Sequence, residues 1–340
     1  MRLSKLSVVG VACLISFSAL GQYRWQEPPK DTLGIRLGIL SPVLFADIKD
    51  NKETGAGTPV KYGPNSNSRT ALTLFYSHFA LTGSVSNPLT EEDKENKGPS
   101  KVDDYQFRFY YKYGTWDFFY QNYQGYYIEN SGQVDPAFSG VKKIQRPDIK
   151  TSHTGVQYFY IPNAEHYSLG GTFDQNIRQI ESGGSIYFSG YVGAHSVKAD
   201  SPLVPANLAS GYGSFANFKE GHFQNIRAGI GYGHTFVIYK FYLGFVFGIS
   251  HGLQHQKFDL ISEKFDRWVA ATGANLKAGL GYNGEKFYSG FQYVMDNTSI
   301  GFNEYSIGLT SGEYRIFTGT RFDGISIPPV NALGEWLYGE

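Results

Sequence analysis

Large apolar side chains recur at every second position along much of the chain. In the segment 241–249, one face carries Phe241, Leu243, Phe245, Phe247 and Ile249, and the smaller Gly244, Val246 and Gly248 fall between them. A repeat of two residues predicts β-strands that have two unlike faces. Similar alternation at 104–113, 267–283 and 313–322 indicates an all-β protein.

Three features of these segments favour a closed antiparallel transmembrane β-barrel over a secreted β-sandwich, which is the alternative. The segments run for about ten to fifteen residues, whereas strands of globular proteins usually have about five or six. Trp268 and Tyr282 flank an apolar row, as aromatic residues do at a membrane interface. Arg108 and Lys112 lie in mid-strand on the polar face, where a wet lumen would accept them.

The number of strands follows from counting the segments that alternate in this way. Fourteen candidate segments lie near residues 33–47, 69–77, 79–87, 102–113, 115–128, 150–161, 166–177, 184–197, 221–236, 240–251, 267–283, 286–295, 299–309 and 312–322. Long and short connections alternate at first, as expected when they lie at opposite ends of a barrel. With fourteen strands, however, the long connections at 198–220 and 252–266 fall at the end that has the short ones. We therefore expect about twelve to fourteen strands, with either a break at Pro42 or a different pairing of 166–197.

The stretch 115–130, "TWDFFYQNYQGYYIEN", does not sort cleanly into two faces. Trp116, Phe118 and Tyr120 share a face with the amides Asn122 and Gln124. We expect that a β-bulge shifts the register of this strand, or that its middle contacts a loop.

The N-terminus predicts export. Residues 1–21 have basic residues followed by an apolar run and small residues, as in a secretory signal peptide, with the barrel at 22–322 and a tail at 323–340. A membrane anchor would need about 20 apolar residues. Lipidation at Cys13 is disfavoured because Gly10 occupies a position where such sites have Leu or Val. We expect the outer membrane of a Gram-negative bacterium, with its lipid as the partner.

Charge and motifs indicate no cofactor, metal or catalytic site. Lys plus Arg and Asp plus Glu number 30 each, so the charge does not point to nucleic acid. If the polar faces line the lumen, the candidate lumen residues are Arg36, Asp104, Arg108, Lys112, Asp174, Arg178, Arg227, Lys277, Asp296, Glu313, Arg315 and Arg321. The candidate lipid-facing residues are Phe107, Phe109, Phe241, Leu243, Phe245, Phe247, Trp268 and Tyr282.

Two functions fit such a lumen, and both are non-enzymatic. The excess of basic residues would make an open passage select anions. Alternatively, Arg–carboxylate pairs close a narrow lumen, so that the barrel serves a structural or assembly role.

A lipid hydrolase using a Ser–His pair is the enzymatic alternative. Its available residues are Ser250 with His251, His195 with Ser196, His234 and His255. No nucleophile elbow accompanies them, and "HGLQH" lacks the Glu of a zinc-peptidase helix. We therefore expect no enzymatic activity.

Several sequence blocks resemble one family. These are "YGPNSNSRTALTLFYSHFAL", "FYQNYQGYYIEN", "RPDIKTSHTGVQYFYIPN", "YSLGGTFDQNIRQIESGGSIYF", "DSPLVP", "GIGYGHTF", "GYN" and "YRIFTGTRF". In this order they are similar to the Bacteroidetes-type outer-membrane family catalogued as domain of unknown function 4421, over about residue 33 to Phe322. The resemblance implies an outer-membrane barrel and supplies no activity. The chain departs from the pattern after Phe322, and we expect residues 323–340 to form a periplasmic tail rather than a lumen plug.

Overall fold

The computed structural model describes residues 26–27, 31–50, 58–76, 79–111, 113–260, 264–302 and 305–332. The predicted signal peptide, Lys112 and residues 333–340 lie outside this range. The strands are β1 (Gln26–Glu27), β2 (Thr32–Asp50), β3 (Val60–Gly63), β4 (Arg69–Tyr76), β5 (Phe79–Ser86), β6 (Lys101–Tyr111), β7 (Gly114–Ile128), β8 (Gln145–Tyr160), β9 (Arg178–Gln179), β10 (Gly183–Lys198), β11 (Glu220–Ile238), β12 (Phe241–Asp259), β13 (Lys264–Asn283), β14 (Phe287–Phe302) and β15 (Tyr305–Asp323).

Twelve of these strands form a closed antiparallel ring. From β2 the ring runs through β4 to β8 and β10 to β15, and β15 pairs with β2 along 19 residues. The short β3 joins β2 to β7 at one end, and β1 pairs with β9 outside the ring. Closure pairs the edge strands with each other. The predicted closed antiparallel transmembrane barrel is thus confirmed.

Two of the fourteen predicted strands do not exist. Residues 166–177 form no ring strand, and the three final segments are the two long strands β14 and β15. Pro42 does not break β2, so the alternative pairing of 166–197 is the correct one. With twelve strands, the connections 51–59, 87–100, 129–144 and 199–219 all leave the same end, here called the long-loop end.

The opposite end, here called the short-turn end, has tight connections such as 239–240 and 284–286. Its exception is the segment 161–182 between β8 and β10, here called the plug. The described part of the tail also packs at this end, where the Asn331 side chain accepts a hydrogen bond from the Tyr76 hydroxyl at 2.7 Å. The plug therefore comes from the middle of the chain.

A β-bulge at Gly125 explains the mixed composition of β7. The register with β8 shifts between Gln124 and Tyr126, and Gly125 has a φ of 88°. Before the bulge, Phe118 is exposed on the outer face, whereas Ile128 beyond it is fully buried. The shift moves even-numbered residues from the outer to the inner face, which confirms the predicted bulge.

The outer face of the ring carries exposed apolar side chains. Among the predicted lipid-facing residues, Phe107, Phe241, Leu243, Phe247 and Trp268 are exposed, with 62% of Phe241 and 53% of Phe247 accessible. Phe109, Phe245 and Tyr282 are half-buried because neighbouring rings pack against them. Exposed apolar side chains on so many neighbouring strands mark a surface that contacts a membrane or another protein.

Helices are few and short. Among the described residues they are α1 (Glu91–Lys97), α2 (Ser131–Val134) and the helical residues 328–332, with 3₁₀ turns at Pro136–Phe138, Ala206–Gly211 and Gly213–Asn217 and a π turn at Gly170–Asp174. Within the described ranges, no helix has the length and apolar character needed to cross a membrane.

Candidate functional site: the plugged lumen

The plug enters the ring and fills its short-turn end with aromatic side chains. Tyr167, Leu169 and Phe173 of the plug are buried against Phe159, Tyr187 and Val246 of the wall. The plug turns back through the π turn at Gly170–Asp174, and the Gln175 side chain donates to the Thr172 carbonyl at 2.9 Å. The apolar alternation at 166–177, which predicted a strand, instead serves this internal packing.

Asp174 is the charged anchor of the plug. Its carboxylate accepts a hydrogen bond from Arg108 Nη1 of β6 at 2.7 Å and lies 3.6 Å from Arg36 Nη2 of β2. Arg36 also donates to the carbonyls of Phe173 and Asp174 at 3.2 Å. Arg108 in turn pairs with Asp117 of β7. The plug is thus held to two strands of the wall, β2 and β6, by charged hydrogen bonds, which are stronger than neutral ones.

Arg321 holds the lower part of the plug. Its guanidinium donates to the Gln175 carbonyl at 2.6 Å, the Gly284 carbonyl at 2.7 Å and the Asn283 side chain at 2.8 Å. One buried cation thus bonds to the plug, to β13 and to the turn that follows β13. Arg178 lies in β9 rather than on a ring strand, and it pairs with the exposed Glu285 at 3.4 Å.

A second closure lies at the long-loop end and is here called the roof. Its main part is the loop 199–219, whose Tyr212, Phe215 and Phe218 are buried among rings of the wall, including Tyr305 and Phe258. The Tyr212 hydroxyl donates to the Thr58 carbonyl at 2.8 Å, so the roof is also tied to the connection that precedes β3. Burial of these rings is the dominant favourable term in this closure.

Glu129 lies at the edge of the roof, just beyond β7. Burial and the nearby Asp47 carboxylate raise the pKa of Glu129 to about 7. Both causes penalise the charged form of the carboxyl group.

Between plug and roof lies a cavity of about 280 Å³, here called the chamber. Its lining includes the ion pairs Arg69–Asp104, at 3.1 Å, and Arg315–Glu313. Tyr123 and Leu203 belong to both the chamber lining and the roof cluster, while Asp174 forms part of the floor. The chamber is therefore a space of mixed polar and apolar lining, with ion pairs on its wall, between plug and roof.

One wall of the chamber combines aromatic rings with two cations. The rings of His153 and His195 stack at 3.8 Å, and each lies within 3.1 Å of the Tyr191 hydroxyl. The guanidinium carbon of Arg227 lies 4.4 Å from the centroid of the Tyr191 ring. Arg227 also donates a hydrogen bond to Thr298 Oγ1 at 2.9 Å. The Nζ atom of Lys277 lies 4.9 Å from the centroid of the Phe159 ring. These cations are stabilised by π faces, an interaction that strengthens on desolvation.

The structure brings most of the predicted lumen residues into the ring. Those that line the chamber are Asp104, Arg108, Asp174, Arg227, Lys277, Asp296, Glu313 and Arg315. Arg36 and Arg321 are buried at the plug. Arg178 lies at the base of the plug, and Lys112 is outside the described residues.

Sequence reasoning missed Arg69, Asp117, His153 and the roof. Arg69 is the first residue of its strand, and Asp117 lies on β7, whose faces were obscured by the bulge. These additions change the picture of the lumen. Arg36, Arg69, Arg108 and Arg315 each have a carboxylate partner, so these four cations are paired rather than free in the lumen.

The Ser250–His251 combination does not converge, whereas His195 and Ser196 both line the chamber. Ser250 lines the chamber, whereas the adjacent His251 is exposed, because neighbouring strand residues point to opposite faces. His255 pairs with Asp266 at 2.6 Å, and His234 bonds to the Tyr232 hydroxyl at 3.0 Å. Among the described residues, no group of three or more His, Cys, Asp or Glu side chains is placed to hold a metal ion.

Comparisons with known proteins identify a family and a set of barrels. The family described as Domain of unknown function (DUF4421) matches residues 25–322. The outer membrane protease OmpT from Escherichia coli is 6% identical, with 88% of this chain and 99% of that chain covered at a TM-score of 0.37. An outer membrane channel from Pseudomonas putida F1 is 10% identical, with 90% and 100% covered at 0.31.

The attachment protein Ail of Yersinia pestis, solved with a heparin analogue, is 12% identical, with 86% and 98% covered at a TM-score of 0.21. No curated protein matches the chain. These identities and scores transfer no activity to this chain.

Proposed function

We propose that this chain, which belongs to the family described as Domain of unknown function (DUF4421), is an integral outer-membrane β-barrel. Its lumen is closed at rest, and its role is not enzymatic. The closed ring and its apolar outer surface support the membrane placement, because hydrocarbon tolerates only helices and closed barrels. Most ring strands also exceed the roughly 9–11 residues that a tilted strand needs to span a bilayer.

The observation that carries the closed lumen is the anchoring of the plug by Asp174. This carboxylate is buried and faces both Arg36 and Arg108. Separating one partner from a buried ion pair costs roughly 3–5 kcal/mol. The plug is therefore a stable part of the folded barrel.

Planar-bilayer recording of the purified full chain tests the closed lumen. We expect no steady conductance after insertion, with folding checked by the faster gel migration of the unboiled barrel. A steady ohmic current from the unaltered protein would contradict the closed lumen, and equal migration before and after boiling would contradict the barrel.

A gated small-solute passage is the second candidate, and the chamber is the observation that favours it. A purely structural lumen would be filled by side chains, but here about 280 Å³ lies between plug and roof. Brief voltage-dependent openings on a silent baseline would support gating. The divergent Ser250 and His251 side chains do not favour the hydrolase. Phospholipid turnover that disappears in His251→Ala would support it instead.

A further inference from the structure

The ring has one weak junction, between β5 and β6. Their ladder contains only the four pairs from Phe79–Phe109 to Thr82–Gln106, whereas every other ladder of the ring has at least eight. Residues 83–86 of β5 and 101–105 of β6 belong to these strands but do not pair with each other. These unpaired stretches are here called the seam.

An unpaired edge in hydrocarbon is unfavourable, since each unsatisfied backbone group costs several kcal/mol. The seam lies where the apolar outer surface ends. Val85 is 69% exposed and Tyr105 is also exposed, and the next outward residues on β6 are the charged Asp103 and Lys101. The seam is therefore at the level of a membrane interface on the long-loop side.

The seam connects the outer surface with the chamber. The chamber lining includes Ser84 and Gln106 on either side of the seam, and also Phe107 and Phe118. Both Phe rings are exposed on the outer face, where their centroids lie 5.9 Å apart. Because residues of both the inner and the outer face bound the chamber at this junction, the chamber opens there toward the outer surface of the ring.

One ion pair crosses the seam on its inner side. Arg69 of β4 reaches past β5 to Asp104 of β6, with a nitrogen–oxygen distance of 3.1 Å. It joins the two sides of the junction where the backbone ladder does not. A side-chain bridge can be displaced without breaking a strand ladder.

The chamber offers a site for an anion opposite this opening. Among the described residues, no carboxylate oxygen lies within 4 Å of the nitrogens of Arg227 or Lys277, although Asp296 shares their wall. Beside these cations, Tyr191 and Phe119 offer aromatic surface. A volume of about 280 Å³ is near the lower end of ligand pockets, roughly 300–1,000 Å³, so it suits one chain rather than a two-chain phospholipid.

We propose that the seam is a lateral portal through which a single-chain amphiphile with an anionic head group passes between the membrane and the chamber. The apolar surface around Val85 and Phe107 accepts the chain, and Arg227 and Lys277 accept the head group. This inference rests on the proposed membrane placement and goes beyond the closed lumen, because the route does not pass through the plug or the roof.

The test uses the full chain in phospholipid nanodiscs with a photoreactive twelve-carbon fatty acid and the matching neutral alcohol. Mass spectrometry locates the labels. We expect the fatty acid to label chamber residues such as Phe119 and Tyr191 at least several-fold more than the alcohol does. Arg227→Gln is expected to remove this difference while leaving labels on the outer surface unchanged.

The portal is tested by closing it. Val85→Cys with Asp103→Cys, joined by a short bismaleimide in a Cys13→Ser background, is expected to lower chamber labelling about tenfold. The matched control joins Thr272→Cys to Ser299→Cys, which already face each other in the β13–β14 ladder, and leaves labelling unchanged. Gly83→Trp is an independent block, because a Cβ at Gly83 meets no atom within 4 Å.

Chamber labelling that persists in both blocked variants would overturn the portal. Labels confined to the outer surface in the unblocked protein would overturn the chamber as a binding site. Neither result depends on ion conductance. A steady current in the bilayer experiment would refute the closed lumen without affecting the labelling pattern, so the two proposals fail separately.

Discussion

Removing the charge of Asp174 tests how the lumen is closed. In Asp174→Asn, the amide replaces a carboxylate that accepts from Arg108 at 2.7 Å and faces Arg36 at 3.6 Å. Arg36 then remains buried with only neutral acceptors, namely two carbonyls and the Thr73 hydroxyl. Loss of one partner from a buried pair costs roughly 3–5 kcal/mol.

The retained neutral hydrogen bonds place this variant at the lower end of that range. About 3 kcal/mol corresponds to a roughly hundredfold change in an equilibrium, since about 1.4 kcal/mol is a factor of ten. We therefore expect Asp174→Asn to raise the fraction of time with a displaced plug about a hundredfold. Because the roof is the same in both proteins, the ratio of the open probabilities of variant and wild type in single-channel recording measures this change.

Asp117→Asn is the matched control. Asp117 also pairs with Arg108, but it belongs to the wall, so its loss removes a lumen carboxylate and leaves the plug anchored. We expect its openings to be far rarer than those of Asp174→Asn. Equal open probabilities of the two variants in correctly folded barrels would refute the anchoring role of Asp174.

Three further predictions concern stability, each measured by urea unfolding of the purified barrel with gel mobility as the readout. The pKa of Glu129 is raised to about 7, so its contribution to the free energy of unfolding is present below its ordinary pKa and is lost as the pH rises through 7. The free energy of unfolding of the wild type should thus fall by about 1–2 kcal/mol between pH 5 and 8, with solvent screening at this half-buried site included. The free energy of unfolding of Glu129→Gln should not fall in this way. Arg321→Gln should cost about 2–4 kcal/mol because buried carbonyls lose their donor, and Lys240→Gln, at an exposed ion pair, less than about 0.5. Gly125→Ala should cost at least about 2 kcal/mol, since its φ is 88° and the added Cβ would lie 2.5 Å from a carbonyl oxygen, whereas Gly190→Ala meets open space and should cost far less. Equal effects of a variant and its control, or a pH response that persists in Glu129→Gln, would contradict the respective reasoning.

The period of two along the chain was sufficient to predict the strands, because each strand carries its two faces in its own residues, and the length of the segments and their flanking aromatic residues favoured the barrel. In β12, Phe241, Leu243 and Phe247 face outward, and their spacing is visible without any partner strand. The bulge of β7 was predictable for the same reason, since the interruption of the pattern at Gln124–Tyr126 is local.

Local patterns failed where internal packing imitates a strand. The plug alternates like a wall segment, but Tyr167, Leu169 and Phe173 are buried inside the ring. Its role depends on contacts such as Arg36 with Asp174, which are 138 residues apart. The seam was equally invisible, since it arises from how far the β5–β6 ladder extends and not from either strand alone.

The central claim is that hydrocarbon contacts one face of these strands while the other face is enclosed. Spin labels placed singly at residues 241–250 of β12 in nanodiscs test it most directly, by collision with oxygen, which dissolves in lipid, and with a water-soluble nickel complex. The account predicts high oxygen collision and low nickel collision at Leu243 and Phe247, and low oxygen collision at the intervening Gly244 and Val246. Oxygen collision without a two-residue period, or nickel collision at Leu243 and Phe247 as high as at a loop residue, would contradict it.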